Sequence, residues 1–105
     1  MDMNSVIRRG IGLILGMQLL FGGTTGKITG KVTDEITGEP LIGVNVMVRS
    51  TGQGAATDID GNYYILNISP GDYEVTSSMI GYSEKIIEGV RVRVDLTTTL
   101  PITMA

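Results

Sequence analysis

The chain has 105 residues, enough for one small domain, and its composition excludes several classes of function. It contains no histidine and no cysteine, which excludes a Ser-His-Asp triad, a thiol nucleophile, the best zinc ligands and any disulfide bond. From Lys27 onward, six basic residues stand against ten acidic ones, a net charge of −4, so nucleic acid is not expected as a partner.

The first 26 residues differ in character from the rest of the chain. Arg8 and Arg9 precede an apolar run over residues 10–21, and small and polar residues follow it. The run is shorter than the roughly 20 apolar residues that a membrane-spanning helix needs. This layout predicts a secretory signal peptide over residues 1–26, with a retained membrane anchor as the alternative. We therefore expect an exported protein whose domain covers residues 27–105.

The rest of the chain alternates short strand patterns with turn signals. The clearest pattern is the alternation of Val44, Val46 and Val48 with more polar residues. In chain order, the predicted strands cover Lys27–Asp34, Leu41–Arg49, Ala55–Asp58, Tyr63–Asn67, Tyr73–Met79, residues 84–94 as a pair or one bent strand, and a last strand within residues 95–104.

Three features predict where particular strands lie. Tyr63–Asn67 is apolar on both faces, which predicts a strand inside a sheet and not at its edge. Gly89 interrupts its strand pattern and predicts a bulge or kink. Pro101 cannot donate a ladder hydrogen bond, so the last strand is predicted at an edge or at the end of a sheet.

No window of 11 or more residues after Lys27 keeps a helical period, so the domain is predicted to be all-β. Short strands with turn signals every 8 to 12 residues are typical of a two-sheet sandwich. The sequence therefore predicts a seven-stranded Greek-key β-sandwich, with valine and isoleucine side chains filling the space of about 10 Å between the sheets.

A polar turn in mid-chain, from Asp58 to Asn62, leads directly into the strand that begins at Tyr63. Asp58 and Asp60 sit two residues apart in an exposed, glycine-bearing turn, where nothing predicts the raised pKa that a catalytic carboxylate needs. We therefore expect no enzymatic activity, no catalytic residue and no cofactor.

The same turn also resembles half of a calcium loop, because oxygen ligands alternate along it before a glycine. The bidentate Glu of such a loop is missing, since strand residues occupy its place. We predict no metal site and interpret the segment as a turn whose side chains bond to the local backbone. The candidate calcium ligands are Asp58, Asp60 and Asn62.

The four tyrosines allow two interpretations. Their rings could stack on a sugar, which would give a glycan-binding surface. Three of the four adjoin glycine turns, however, where a tyrosine typically packs its ring inside and leaves its hydroxyl at the rim. We favour this packing role over a glycan-binding surface built from Tyr63, Tyr64, Tyr73 and Tyr82.

Between Lys27 and about Leu100, five ordered segments resemble the carboxypeptidase regulatory-like domain. They are Gly30–Asp34, Thr37–Val46, Gly54–Tyr63, Pro70–Tyr73 and Ile80–Tyr82. The structural signature of this resemblance consists of Gly38, Pro40, Gly43, Asp58, Asp60, Gly61, Tyr63, Pro70, Gly71, Tyr73, Gly81 and Tyr82. This family is the small transthyretin-like, or prealbumin-like, sandwich found beside metallocarboxypeptidases and at the N-terminus of TonB-dependent outer-membrane receptors.

The resemblance implies a non-enzymatic accessory module in the periplasm of a Gram-negative bacterium. The module would stand at the start of a TonB-dependent, SusC-like outer-membrane receptor for nutrient uptake. Its partners would be proteins, either the plug or barrel of the host receptor or assembly factors, contacted through a sheet edge or through loops. The alternative is a self-standing exported module that binds glycan or cell-surface matrix. The resemblance leaves open whether the chain begins a longer receptor or works alone.

Overall fold

The computed structural model describes residues 24–105 of the chain. Residues 1–23 lie outside the described residues, so the signal peptide stays a prediction. None of the described residues belongs to a helix that would be long and apolar enough to cross a membrane. The described part is built from strands and loops, which confirms the all-β prediction. The strands are β1 (Gly26–Asp34), β2 (Asn45–Val48), β3 (Gly54–Ala56), β4 (Asn62–Ile68), β5 (Gly71–Ser78), β6 (Lys85–Val92), β7 (Thr97–Thr99) and β8 (Ile102–Met104).

These strands form two sheets, which confirms the predicted sandwich. One sheet has the order β3-β2-β5-β6, with antiparallel neighbours throughout. In the other sheet, β1 pairs antiparallel with β4 on one side and parallel with β7 and β8. Lys27 pairs with Thr97 and Val32 with Ile102, so β7 and β8 follow β1 in one continuous register. Counted as one strand interrupted at Pro101, they give the seven strands that the sequence predicts.

The core lies between the two sheets and consists of the inward side chains of alternating positions. In β4, for example, Tyr63 and Ile65 are buried while Tyr64 and Leu66 point outward. Burying such apolar side chains is the main driving force for folding in a domain without disulfides. The buried hydrophobic residues are Ile28, Val32, Val44, Val46, Val48, Tyr63, Ile65, Ile68, Val75, Val90, Val92, Ile102 and Met104.

The prediction that Tyr63–Asn67 lies inside a sheet is wrong. The strand β4 forms an edge of its sheet. Its outward side chains, Tyr64 and Leu66, are 57% and 55% exposed, so no second layer covers them. Apolar residues on both faces of a strand do not require two buried faces, because apolar atoms make up much of any protein surface.

The predicted strand Leu41–Arg49 is shorter in the structure, where β2 begins only at Asn45. Gly43 has a φ of +78°, which turns the chain just before the strand. The backbone N–H of Gly43 donates to the carbonyl of Thr57 (3.0 Å), and that of Val44 donates to the Thr57 hydroxyl (2.9 Å). The segment before Asn45 is therefore held by Thr57 and not by a strand ladder.

The predictions for Gly89 and Pro101 are confirmed. Tyr73 pairs with Val90 but Val75 pairs with Ile87, so β6 carries an extra residue at Gly89, whose φ is +68°. The strand is therefore one bent strand and not a pair. Pro101 lies between β7 and β8 on the outer edge of its sheet, where no neighbour needs its missing N–H.

Candidate interaction surfaces

The mid-chain turn is closed by its own backbone and by one carboxylate. The backbone N–H of Gly61 donates to the Asp58 carbonyl, and that of Asp58 donates to the Asn62 carbonyl, both at 2.9 Å. One oxygen of the Asp58 side chain, Oδ1, also accepts the N–H groups of Asp60 and Asn62, again at 2.9 Å. The side chain therefore stabilises the turn that starts β4.

The same hydrogen bonds engage one of the three candidate calcium ligands, Asp58. One oxygen of Asp58 already accepts two backbone N–H groups, which would have to be given up or shared on binding a cation. Within residues 24–105, no group of three or more His, Cys, Asp or Glu side chains is placed to hold a metal ion. We expect a calorimetric titration with calcium to give no binding heat, and a saturable heat lost on Asp58→Ala would contradict that expectation.

The four tyrosines do not form a common surface. Tyr63 is fully buried and its hydroxyl donates to the Leu100 carbonyl (2.6 Å). The Tyr73 hydroxyl donates to the Ser69 carbonyl (2.6 Å), at the opposite end of β4. Tyr82 is half-buried and also uses its hydroxyl internally, which leaves Tyr64 as the exposed member of the four. Desolvation by burial raises the pKa of Tyr63, as expected for a phenol in the core.

Asp34, which the sequence analysis did not single out, connects two loops. Its Oδ1 accepts the backbone N–H groups of Ile36 (2.8 Å) and Thr37 (3.0 Å), and its Oδ2 accepts the Tyr82 hydroxyl (2.7 Å). These hydrogen bonds lower the pKa of Asp34. The bond from the Thr37 N–H has the largest effect, and the bond from the Tyr82 hydroxyl has the next largest. In return, the Asp34 carboxylate holds the Tyr82 proton and raises the pKa of that phenol.

We predict that Tyr82→Phe raises the pKa of Asp34 toward its ordinary value, because the carboxylate loses its hydroxyl donor. A lowered pKa in the folded state stabilises the fold above the unfolded-state pKa of about 3.9, and this contribution is lost as the pH falls through the folded-state pKa. The acid-unfolding midpoint of the variant should therefore shift to higher pH. An NMR titration of the Asp34 carboxyl measures the pKa directly.

Tyr73→Phe is the matched control for this titration, since its hydroxyl bonds to Ser69 and not to Asp34. An unchanged pKa of Asp34 in Tyr82→Phe would show that the hydroxyl contributes nothing to the ionised state.

The free sheet edges carry side-chain hydrogen bonds on both sides of the sandwich. At the β4 edge, the Gln53 amide Nε2 donates to the carbonyls of Leu66 (3.3 Å) and Asn67 (3.0 Å). On the opposite side, Lys85 Nζ donates to the Thr103 carbonyl in β8 (3.0 Å), and the Thr98 hydroxyl donates to the carbonyl of Arg91 in β6 (2.7 Å). These bonds occupy acceptors that an added strand would need, so loops are better placed than edges to make contacts.

One end of the sandwich exposes a set of isoleucines on three loops, residues 34–44, 57–61 and 79–84. The pairings Lys31↔Asn62 and Asn45↔Ser78 bring these loops to the same end. Ala105 lies there too, because its carbonyl accepts the N–H of Ser83 (2.8 Å). We call this surface the isoleucine end. Its exposed isoleucines are Ile36 (91%), Ile42 (56%), Ile59 (78%) and Ile80 (99%).

The isoleucine end is also acidic. Its three loops contain no lysine or arginine but six carboxylates, those of Asp34, Glu35, Glu39, Asp58, Asp60 and Glu84. Most of the signature residues lie in the same loops, namely Gly38, Pro40, Gly43, Asp58, Asp60, Gly61, Gly81 and Tyr82. The others are Tyr63, near the start of β4, and Pro70, Gly71 and Tyr73, which lie at the opposite end. Ile36 and Ile59 are single apolar residues in polar turns, and Ile42 falls within the predicted strand Leu41–Arg49, so no pattern along the chain links these side chains.

A family model described as CarboxypepD_reg-like domain matches residues 28–104, nearly all of the described part of the chain. Among curated proteins, the TonB-dependent receptor SusC from Bacteroides thetaiotaomicron is 51% identical over 45 residues. That match covers 43% of this chain and 4% of the receptor, so the chain spans a small part of this relative's length.

Solved structures support the fold. A type II cohesin–X-dockerin complex from Acetivibrio cellulolyticus contains a chain that matches with a TM-score of 0.66 and 21% identity, over 75% of this chain and 56% of that one. A putative carbohydrate binding protein from Bacteroides uniformis matches with a TM-score of 0.58 and 18% identity, over 74% and 40% of the two chains. At these identities the likeness is one of fold alone.

Proposed function

Because the chain belongs to the CarboxypepD_reg-like domain family, we propose that it is a non-enzymatic protein-contact module at the start of a TonB-dependent, SusC-like outer-membrane receptor for nutrient uptake. The identity of 51% to SusC over 45 residues supports a receptor host. Since the match covers 4% of that receptor, transport itself would belong to the rest of the host protein and not to this domain.

The observation that carries this proposal is the isoleucine end. Ile36 and Ile80 are 91% and 99% exposed, although isoleucine is among the residues most often buried in proteins. Several large apolar side chains exposed at one end of a domain typically mark a protein contact. The partner would be the plug or barrel of the host receptor, or a factor that assembles it, on the periplasmic side of the outer membrane.

Loop contact fits the structure better than strand addition. The carbonyls at the β4 and β8 edges accept hydrogen bonds from Gln53 and Lys85, whereas the isoleucine side chains contact mostly solvent. We therefore assign contact to the loops and a protective role to the edge side chains.

Reading the gene beyond the codon for Ala105 tests the receptor proposal. We expect an open frame that encodes a plug and alternating barrel strands. A stop codon at that position would contradict the proposal for this chain.

A deletion of residues 27–104 from the full receptor tests the contact function. Uptake should fall, and the amount of receptor in the outer membrane separates the two roles. A normal amount with reduced uptake indicates a contact during transport, whereas a reduced amount indicates a role in assembly. Unchanged uptake and unchanged receptor would contradict the proposal.

A second candidate function is a self-standing module that binds glycan, favoured by the outward face of β4. Tyr64 and Leu66 are both more than half exposed on this face, and aromatic rings stack on sugars. Glycan-array binding that Tyr64→Ala abolishes would support this function, and binding that survives the substitution would exclude Tyr64 as the platform.

A further inference from the structure

Two of the exposed isoleucines at the isoleucine end lie next to carboxylates along the chain. Ile59 stands between Asp58 and Asp60, and Ile36 directly follows Glu35. Ile80, which is 99% exposed, lines an open depression of about 540 Å³ together with Gly43, Ser78 and Met79. The surface therefore presents apolar side chains, two of which have carboxylates beside them.

The loops that carry these side chains are held to one another. Tyr82 joins the loop of Ile80 to Asp34 (2.7 Å), next to the loop of Ile36. The N–H of Gly43 bonds to the Thr57 carbonyl (3.0 Å), which joins the other two loops. Because these bonds hold the loops in place before any contact forms, binding loses little loop entropy.

We propose that the isoleucine end binds a protein segment that carries both apolar and basic side chains. The apolar side chains of the partner would cover Ile36, Ile59 and Ile80, while its lysines or arginines would face the surrounding carboxylates. This arrangement reproduces an interface with an apolar centre and a charged rim of complementary sign. The inference rests on the protein-contact function proposed above and adds the surface and the chemistry of the partner.

The charge distribution is what favours this occupant. The three loops hold six carboxylates and no basic residue, while two lysines border them, Lys31 opposite Asn62 and Lys85 next to Glu84, so negative charge predominates at this end. The opposite end, at residues 49–53, 69–70 and 93–96, holds Arg49, Arg93 and Asp95. The same end of a second copy, or an anionic lipid surface, would face the isoleucine end with charge of the same sign. A basic partner is attracted to this end and away from the other, which fixes its orientation.

The test uses the 105-residue chain and fluorescently labelled synthetic peptides of about 12 residues, which reach roughly 40 Å when extended. One peptide alternates lysine with leucine, a second glutamate with leucine, and a third lysine with serine. We expect saturable anisotropy changes for the lysine–leucine peptide, and at least tenfold weaker binding for the other two. Raising the salt from about 0.05 to 0.3 M should weaken binding further.

Variants locate the binding surface. The double substitution Ile59→Ser and Ile80→Ser should weaken binding of the lysine–leucine peptide at least tenfold without lowering the melting temperature, because both side chains are exposed. The control is Ile86→Ser, an exposed position on β6 that is 47% accessible and outside the three loops. Equal binding of all three peptides, or equal losses in the two variants, would overturn the proposal.

Two further outcomes are informative. Partition into phosphatidylcholine vesicles without peptide binding would assign the isoleucines to a lipid surface and overturn the inference. If the peptide does not bind but deletion of the domain still impairs the receptor, the inference fails while the proposed contact function stands.

Discussion

Gly61→Val is expected to lower the free energy of unfolding by about 2 to 5 kcal/mol, from left-handed backbone strain and from overpacking. Gly61 is buried directly before β4 and has a φ of +78°. A Cβ at this position would lie 2.7 Å from the Val32 carbonyl oxygen and 2.9 Å from Pro40 Cβ. The Val32 carbonyl oxygen belongs to β1 and accepts the Leu41 N–H (3.0 Å). Moving this oxygen aside would therefore disturb both the strand and the hydrogen bond. Urea unfolding measures the loss.

Gly38→Val separates the two causes. Gly38 also has a positive φ, +72°, but a Cβ there would meet no atom within 4 Å. This control should therefore lose only the strain contribution, about 1 to 2 kcal/mol. Equal losses in the two variants would show that the contact with Val32 and Pro40 relaxes freely.

The fold follows from the sequence because its signals are local. Alternation within a strand, as in Val44, Val46 and Val48, shows which side chains face the core wherever that strand lies. Glycine and proline act on their own backbone, which is why Gly89 and Pro101 are placed correctly. Which strands pair with each other depends on residues far apart in the chain. The position of β4 at the edge of its sheet depends on that pairing and could not be predicted locally.

The candidate surface was harder to predict for the same reason. Ile36, Ile59 and Ile80 lie at one end only because β1, β4 and β5 run as they do, and nothing in each turn indicates the others. The Asp34–Tyr82 hydrogen bond joins residues 48 positions apart. Both residues lie in segments that resemble the family, but only the structure shows that they pair. The hydrogen bonds of the mid-chain turn could be predicted from the sequence, because Asp58 accepts backbone N–H groups that lie within four residues of it.

Tyr63→Ala is expected to lower the free energy of unfolding by about 3 to 5 kcal/mol, the range for removing a large aromatic side chain from a core. Tyr63 is fully buried on β4 and lies opposite Gly30 of β1. Its ring extends over this glycine, where a Cβ would lie 3.0 Å from Tyr63 Cε1. Its hydroxyl reaches the Leu100 carbonyl (2.6 Å), beside the break between β7 and β8. One side chain therefore joins three strands of the sheet.

Tyr63→Phe isolates the hydroxyl from the ring. We expect this variant to lose about 1 to 3 kcal/mol, because the Leu100 carbonyl would lose its donor in a half-buried place. The matched control is Tyr73→Phe, whose hydroxyl donates to an exposed Ser69 carbonyl at the same distance, 2.6 Å. Water can replace that donor, so the control should lose less. Equal losses in the two phenylalanine variants would show that the hydroxyl bond to Leu100 adds little. The pairing of β7 and β8 with β1 and the hydrogen bond from the Leu100 N–H to the Thr29 carbonyl (2.8 Å) would then hold these strands in place.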